Sequence, residues 1–334
     1  MKKQVLAWIF VGFGLFGATL AQASPYAGLV IFGDSLSDSG NNALLVGTDA
    51  SQVIADDSYF ARIPFASGRY TNGPVWAERL ATMLGLPLAP SLLGGSNYAF
   101  GGAETGIDGT DGPGGFPFSM RTQLGMYLAD SGGAASAGSL YIVAGGGNNV
   151  RVALEAIQGG ADPFLTIAAT AAAYAQDIGD IIDTLQGIGA EHILVWNTPN
   201  YGLTPAALFA GPMGSFLGTA MSQAMNDALA LRLAGEPADL MRFDFFNFVN
   251  NSVANAASLG LSNVSHACGD PTAGCDPDTA LFYDGIHPTA FGHQLLAAAV
   301  ADIVVPEPSS LALLGLALLV LVGQRRAARA QPGV

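Results

Sequence analysis

Short apolar runs that alternate with amphipathic helix patterns are the feature that most limits the folds open to this chain. Runs of this kind are typical of strands buried on both faces of a sheet, and they occur at residues 27–32, 140–144, 193–196 and 241–246. Two stretches between them have apolar residues at steps of three and four, on one face of a helix: Ile167, Ala171, Tyr174, Ile178, Ile181 and Leu185, and then Leu217, Met221, Ala224, Ala228 and Leu231. The alternation predicts an α/β sandwich with parallel strands and right-handed crossovers.

The first 23 residues carry the three parts of a signal peptide. Lys2 and Lys3 precede an apolar stretch at residues 5–20, and Ala21-Gln22-Ala23 is a small-residue cleavage site. An uncleaved membrane anchor is the alternative, but the stretch is broken by glycine and is short for a span of about 20 residues. We therefore expect residues 1–23 to be a signal peptide and the folded domain to be exported.

The other end of the chain has a second targeting pattern. Residues 305–310 are VPEPSS, an apolar stretch covers residues 311–322, and three arginines follow it. This order resembles the PEP-CTERM sorting signal of Gram-negative bacteria, most specifically at residues 306–308. The resemblance implies a sorting signal at residues 305–334 with a short transmembrane segment, recognised and cleaved by an exosortase-type sorting enzyme during delivery to the cell surface. A plain membrane anchor is the alternative, since positive charge after an apolar segment keeps that end cytoplasmic.

The charge between these two ends excludes one class of partner. The net charge of the chain is −14, but five of its 12 basic residues and one of its 26 acidic residues lie in the ends. Residues 24–305 therefore hold 7 basic and 25 acidic residues, a balance of −18. Because no basic stripe is available to neutralise phosphates, we expect no nucleic acid partner, and docking on anionic lipid head groups is disfavoured.

The two cysteines, Cys268 and Cys275, flank a loop that contains glycine and proline. The oxidising exterior implied by export favours a disulfide between them. A metal site is the alternative, but two thiols with His266 nearby fall short of the four ligands of a structural zinc, and no HExxH or paired CxxC motif occurs. We expect neither a metal nor a cofactor.

A serine, an aspartate and a histidine stand where a serine hydrolase needs them. Ser35 follows the first predicted strand directly, and the carboxyl ends of parallel strands meet at a crevice. A serine hydroxyl needs a base to take its proton, and His287 stands three residues after Asp284. An aspartate at this spacing can orient the ring so that its other nitrogen acts as the base. Taken singly, a serine after a strand is more often a turn residue or a helix cap.

Five sequence blocks in one order make the pattern specific. They are IFGDSLSDSGN at residues 31–41, GRYTNGPVW at 68–76, NYAFGG at 97–102, GGGN at 145–148 and DGIH at 284–287. The order resembles the GDSL (SGNH) hydrolase family, and the second block resembles its plant-lipase-like and phospholipase-like branch. The resemblance implies an SGNH hydrolase domain at residues 24–304, with a three-layer α/β/α sandwich around a mainly parallel, flavodoxin-like sheet.

The resemblance also implies a role for each site residue. Ser35 is the expected nucleophile, His287 the general base and Asp284 the residue that orients it. The backbone N–H groups of Ser35 and Gly102, with the side-chain amide of Asn148, form the expected oxyanion hole, which stabilises negative charge on the substrate carbonyl. Gly101 is the alternative to Gly102, which stands five residues after Asn97 as in the family. One position departs from the pattern, because Asn149 stands where the family usually has aspartate.

These residues predict an exported esterase or lipase that cleaves carboxylic esters through an acyl-enzyme on Ser35. Its substrate is expected to be a lipid, a small acyl ester or an acetylated polysaccharide. An acyltransferase with the same triad is one alternative, and a surface polysaccharide-binding protein without catalysis is another. We expect the protein at the cell surface or outside the cell, anchored in the membrane before C-terminal processing.

Overall fold

The apolar runs form a four-stranded parallel sheet with helices on both of its faces. The structure is a computed structural model and describes residues 24–112, 114–237 and 239–305. The strands are β1 Gly28–Gly33, β2 Ser139–Ala144, β3 His192–Trp196 and β4 Met241–Phe243. The helices are α1 Asn41–Val46, α2 Trp76–Leu84, α3 Met120–Asp130, α4 Gly147–Gln158, α5 Pro163–Gly187, α6 Pro205–Phe209, α7 Gly211–Arg232, α8 Phe245–Ala254 and α9 Ala290–Val304. The predicted α/β sandwich with a parallel sheet is confirmed.

The strands pair in the order β1-β2-β3-β4, and each pair is parallel. The register places Gly33 of β1 opposite Ala144 of β2, so the loops that follow these strands begin side by side. Residues 96–100 run along the free edge of β1, where the N–H of Ile31 donates to Ser96 O at 3.0 Å and the N–H of Tyr98 donates to Ile31 O at 2.8 Å. The carboxyl edge of the sheet is therefore where the first and third sequence blocks converge with β2.

Alternate residues of each strand enter two separate cores, because successive side chains of a strand point to opposite faces. One core packs Phe32, Tyr141 and Val195 against α3, α4, α5 and α7. The other core packs Ile31 and Ile142, with further strand residues, against α2, α8 and α9. Both faces of the sheet are thus covered, which explains why the strands are continuous apolar runs.

Two details of the helix and strand prediction are wrong. The predicted strand at residues 241–246 ends at Phe243, because Asp244 caps α8 by accepting the N–H of Asn247 at 3.0 Å. In α7 the buried face contains Met221, Met225 and Leu229, and Leu231 is 79% exposed. Leu231 follows Leu229 by two positions, which rotates its side chain by about 200° around the helix, so Leu231 faces away from the core.

The last helix brings the end of the domain back to its start. α9 begins beside the DGIH block and ends at Val304, whose carbonyl oxygen accepts a hydrogen bond from the Tyr26 hydroxyl at 2.7 Å. Tyr26 precedes β1, so both ends of the domain lie at the amino edge of the sheet, opposite the carboxyl edge.

Within the described part of the chain, no helix is long and apolar enough to cross a membrane. The predicted signal peptide at residues 1–23 and the predicted transmembrane segment at residues 311–322 lie outside the described residues.

Candidate active site

Ser35 lies in a tight turn directly after β1. The carbonyl oxygen of Asp34 accepts hydrogen bonds from the N–H groups of Ser37 and Asp38, both at 3.0 Å, which folds the chain back at Ser35. Gly33 ends the strand, where a Cβ would stand 2.6 Å from the carbonyl oxygen of Ala144. The turn therefore holds the Ser35 side chain, 8% exposed, at the carboxyl edge of the sheet.

The structure brings Ser35, His287 and Asp284 into one hydrogen-bonded chain. His287 Nε2 is 2.8 Å from Ser35 Oγ, and His287 Nδ1 is 2.8 Å from Asp284 Oδ2. The other carboxylate oxygen, Asp284 Oδ1, accepts the N–H groups of Ile286 at 2.9 Å and His287 at 2.7 Å. Asp284 is fully buried and His287 almost so. This arrangement can draw a proton from the serine hydroxyl toward the imidazole.

A segment that sequence reasoning missed fixes Asp284 from the other side. We call residues 57–61 the strap. The N–H of Ala61 donates to Asp284 Oδ2 at 3.2 Å, and the N–H of Gly285 donates to Tyr59 O at 2.5 Å. A Cβ at position 285 would meet Tyr59 O at 2.5 Å, so only glycine fits there. The strap contacts Asp284 and Gly285 through backbone groups, which leave no side-chain signature in the sequence.

The cysteine loop anchors the strap. Cys268 and Cys275 form a disulfide, with their Cα atoms 5.5 Å apart. Just ahead of it, Asp57 of the strap accepts the N–H of Ala267 at 2.7 Å and pairs with His266 Nδ1 at 2.7 Å. The disulfide therefore lies next to the segment that contacts Asp284, and His266 contacts Asp57 of the strap.

The residues of the expected oxyanion hole, Ser35, Gly102 and Asn148, line one cavity. Asn148 lies in the first turn of α4 and donates one N–H of its side-chain amide to Ala103 O at 3.0 Å, which leaves the second N–H for another acceptor. The backbone N–H of Gly101 donates to Asp38 Oδ2 at 3.1 Å, so it is already used. Gly102 has φ +87°, a backbone conformation that favours glycine. These contacts favour Gly102 over Gly101 as the backbone donor.

Asn149, the departure from the family pattern, is held by a neighbouring threonine. Its Oδ1 accepts the N–H of Thr105 at 3.2 Å, and its Nδ2 donates to Thr105 Oγ1 at 3.1 Å. The Thr105 hydroxyl in turn donates to Asp177 Oδ2 at 2.8 Å. The first turn of α4, which carries Asn148, is thus held by the side-chain amide of Asn149, at a position where the family usually has a carboxylate.

Two buried carboxyls support the loops of the site. Asp38 accepts four backbone N–H groups, from Gly40, Asn41, Asn42 and Gly101, and so joins the first and third blocks. Asp34 accepts the N–H of Leu36 at 3.0 Å. Burial raises the pKa of each carboxyl to about 6, although these N–H donors oppose the rise.

The ring of Tyr70 flanks the imidazole of His287, with ring centroids 5.3 Å apart. Asn42 donates to the Tyr70 hydroxyl at 2.6 Å, and burial raises the pKa of Tyr70 well above its usual value, so the phenol stays neutral. Tyr70 lies inside the second sequence block, but the spacing of that block alone indicated no contact with His287.

A cavity of about 200 Å³ opens at Ser35 and His287. Its walls are the strap with Arg62, the loop from Gly101 to Pro117, the first turns of α4, and Ile286. The Arg151 guanidinium lies over the Phe60 ring, 5.5 Å from its centroid, while burial raises the pKa of Glu104. Both polar and apolar groups thus line the space where a substrate would contact Ser35.

Two family models match the sequence. The model of the GDSL-like lipase/acylhydrolase family matches residues 29–300, and that of the PEP-CTERM protein-sorting motif matches residues 304–326. The first match covers well over half of the chain.

Relatives with curated descriptions include two esterases. Esterase EstA of Pseudomonas aeruginosa is 30% identical over 332 residues, which cover 84% of this chain and 47% of EstA. Acetylajmalan esterase 2 of Rauvolfia serpentina is 25% identical over 303 residues, which cover 78% of this chain and 81% of that protein. The chain spans about half the length of the Pseudomonas relatives it matches. Among solved structures, an extracellular lipase from Streptomyces rimosus aligns at 18% identity with a TM-score of 0.46, over 83% of this chain and 99% of that one.

Proposed function

Because this chain belongs to the GDSL-like lipase/acylhydrolase family, we propose that it is an exported serine hydrolase that cleaves carboxylic esters. The observation that carries the proposal is the hydrogen-bonded chain from Ser35 through His287 to Asp284, with both contacts at 2.8 Å. The chain opens onto the cavity, so an ester bound there would meet the serine oxygen directly.

The first half of the reaction forms an acyl-enzyme. Ser35 Oγ attacks the ester carbonyl carbon while His287 Nε2 takes the hydroxyl proton, and the carbonyl oxygen becomes an oxyanion. The N–H groups of Ser35 and Gly102 and the side-chain amide of Asn148 would donate to this oxygen without rearranging. The intermediate then collapses, the carbon–oxygen bond to the alcohol breaks, and His287 returns the proton to the departing alkoxide.

The second half releases the acid. Water attacks the acyl carbon while His287 takes one of its protons, and the Ser35 oxygen leaves with that proton. Throughout, the Asp284 carboxylate holds the protonated imidazole in place. Three N–H groups, from Ala61, Ile286 and His287 itself, fix the carboxylate in its orientation.

The sorting motif supports a cell-surface location. The PEP-CTERM match begins at residue 304, the last residue of α9, so the sorting signal follows this helix directly. We expect the signal peptide to direct export and an exosortase-type enzyme to process the C-terminal segment.

The test is hydrolysis of p-nitrophenyl acetate by the purified protein and by its Ser35→Ala variant. We expect release of p-nitrophenol by the first and a loss of about a thousandfold or more in the second. Adding a primary alcohol and following ester formation would reveal acyl transfer from the same acyl-enzyme. A folded protein that turns over no ester would contradict the proposal and favour a binding role.

A further inference from the structure

A long uncharged interval stands out in an otherwise acidic domain. No Asp, Glu, Lys or Arg occurs at residues 192–226, the longest such interval between residues 24 and 305. The start of α5 is similar, since residues 163–176 also contain none. Both intervals lie in a region whose charge balance is −18, and neither adds a charge of its own to the surface it forms.

Large apolar side chains in these intervals are left in solvent. The five most exposed are Phe164 (84% exposed), Leu165 (73%), Phe209 (59%), Met213 (65%) and Phe216 (65%), and we call these five residues the apolar rim. Soluble monomers seldom expose contiguous apolar patches, and such patches commonly mark sites of interaction. No core requirement explains these residues, because the buried face of α7 contains Met221, Met225 and Leu229.

The rim lies at the same edge of the sheet as the catalytic cavity. α5 leads into β3 and α7 leads into β4, and these strands are parallel, so both helices begin at the carboxyl edge. They pack side by side, with Arg232 near the end of α7 paired to Asp183 near the end of α5. Their first two turns, which carry four of the five rim residues, therefore lie at one end.

Direct contacts connect the rim to the reacting groups. α6, which carries Phe209, is joined to the catalytic loop by a hydrogen bond from the N–H of Ala206 to Gly285 O at 2.9 Å. α4 packs against both α5 and α7, and its residue Val152 lines the cavity. A surface that covered the rim would therefore also face the mouth of the cavity.

We infer that the apolar rim docks the domain on an uncharged lipid surface, with the mouth of the cavity turned toward the lipid. Phenylalanine, leucine and methionine insert into the boundary between head groups and acyl chains, where their burial needs no charged partner. The acidic balance of the domain opposes an anionic surface, so zwitterionic or neutral lipid is the expected occupant. That this docking brings lipid esters to Ser35 rests on the proposed function, whereas the docking itself does not.

The experiment places an environment-sensitive fluorophore on a single added cysteine in the full chain. In Phe216→Cys the label lies in the rim, and in Leu231→Cys it lies at the other end of α7, at a residue just as apolar and 79% exposed. With phosphatidylcholine vesicles we expect a blue shift of emission for the label at 216 and none at 231. Phosphatidylglycerol vesicles should give a weaker response at 216. Any lipid contact of the C-terminal segment is common to both proteins, so it cannot produce this difference.

Two further substitutions test the rim itself. Phe209→Ser with Met213→Ser, added to the protein labelled at 216, should weaken vesicle binding about tenfold or more. Hydrolysis of soluble p-nitrophenyl acetate should be unchanged, because neither residue lines the cavity. Lack of a shift at 216, equal shifts at both labels, or a shift at 216 that depends on protein concentration without lipid would overturn the docking proposal. A shift at 216 in a protein without ester turnover would retain the docking and refute the proposed function.

Discussion

Asn149 holds both the backbone and the hydroxyl of Thr105 with the two ends of its side-chain amide, at 3.2 and 3.1 Å. The hydroxyl proton of Thr105 is committed to Asp177, so the amide must donate and the hydroxyl must accept. An aspartate at position 149 has no proton to give and would add a charge at a buried position. We expect Asn149→Asp to lower the free energy of unfolding by about 2 kcal/mol, measured by urea denaturation.

A double variant checks this explanation. In Asp177→Asn the acceptor of the Thr105 hydroxyl is weaker, so the hydroxyl can turn and donate to an aspartate at 149. The double variant Asn149→Asp/Asp177→Asn should therefore be more stable than the sum of the single losses by about 1 kcal/mol. Strict additivity would show that the direction of the Thr105 hydrogen bond is not the cause.

Ser35 should be the residue that a fluorophosphonate labels, because its oxygen lies 2.8 Å from a base in an open cavity. Ser37 and Ser39 are buried, and their hydroxyls accept from Trp76 Nε1 and Asn97 Nδ2. Ser35→Ala should abolish labelling in mass spectra of the digested protein, while Ser39→Ala, the matched control, should keep it. Label on Ser37 or Ser39 would refute the nucleophile.

Asn148 should matter more for the transition state than for substrate binding. Its free N–H is proposed to meet charge that develops only during attack, so Asn148→Ala should lower kcat about a hundredfold to a thousandfold with little change in KM. Asn149→Ala is the matched control, since it removes the same amide from a position bonded to Thr105, and its kcat should fall much less. Equal losses of kcat in steady-state kinetics would contradict the oxyanion-hole assignment.

The buried Asp34 should make the domain less stable as pH rises. Its pKa is raised to about 6 in the folded state by burial, so the folded protein keeps a proton that the unfolded chain has lost above pH ~4. Its contribution to stability is therefore complete below pH ~4 and is lost as pH rises through about 6.

An asparagine at position 34 can still accept the N–H of Leu36 but cannot ionise. As pH rises from 4 to 7, the free energy of unfolding of Asp34→Asn should increase by about 3 kcal/mol relative to that of the wild type, measured by urea denaturation. Parallel stability profiles for the two proteins would contradict the raised pKa.

A chain cut after Val305 should be soluble and active, because the described domain is complete at α9. A cut after Val300 should not be equivalent, since it removes the buried Val304 and the acceptor of the Tyr26 hydroxyl. We expect this shorter chain to lose about 3 kcal/mol of unfolding free energy, measured by urea denaturation. Insolubility of the longer form would mean that the C-terminal segment belongs to the core.

Much of the fold followed from local patterns. Strands buried on both faces give apolar runs, and a parallel sheet places the residues after β1 and β2 at one edge, so the proximity of Ser35 and Asn148 was predictable. The last residue of β4 was not predictable, because Phe245 and Phe246 extend the apolar run into a helix that Asp244 caps. Apolar character alone does not separate a buried strand from the first turn of a buried helix.

The surroundings of the site were less predictable than its members. The strap contributes the C=O group of Tyr59 and the N–H group of Ala61, which any residue type except proline at 61 would supply. The partner of Asn149 is equally hidden, since Thr105 stands 44 residues away and no periodic pattern connects the two. Motifs identify side chains that do chemistry, whereas long-range backbone contacts that position them depend on the completed fold.

The hydrogen bond between Tyr26 and Val304 joins the two ends of the domain on one side of the sheet. It fixes both ends of the domain at the amino edge of the sheet, while Ser35 opens at the carboxyl edge. Whatever holds the protein by either end, the cavity points away from the attachment, about 20 Å distant along α9. A copy tethered by either end would thus present Ser35 and the apolar rim to its surroundings, on the side of the domain away from the attachment.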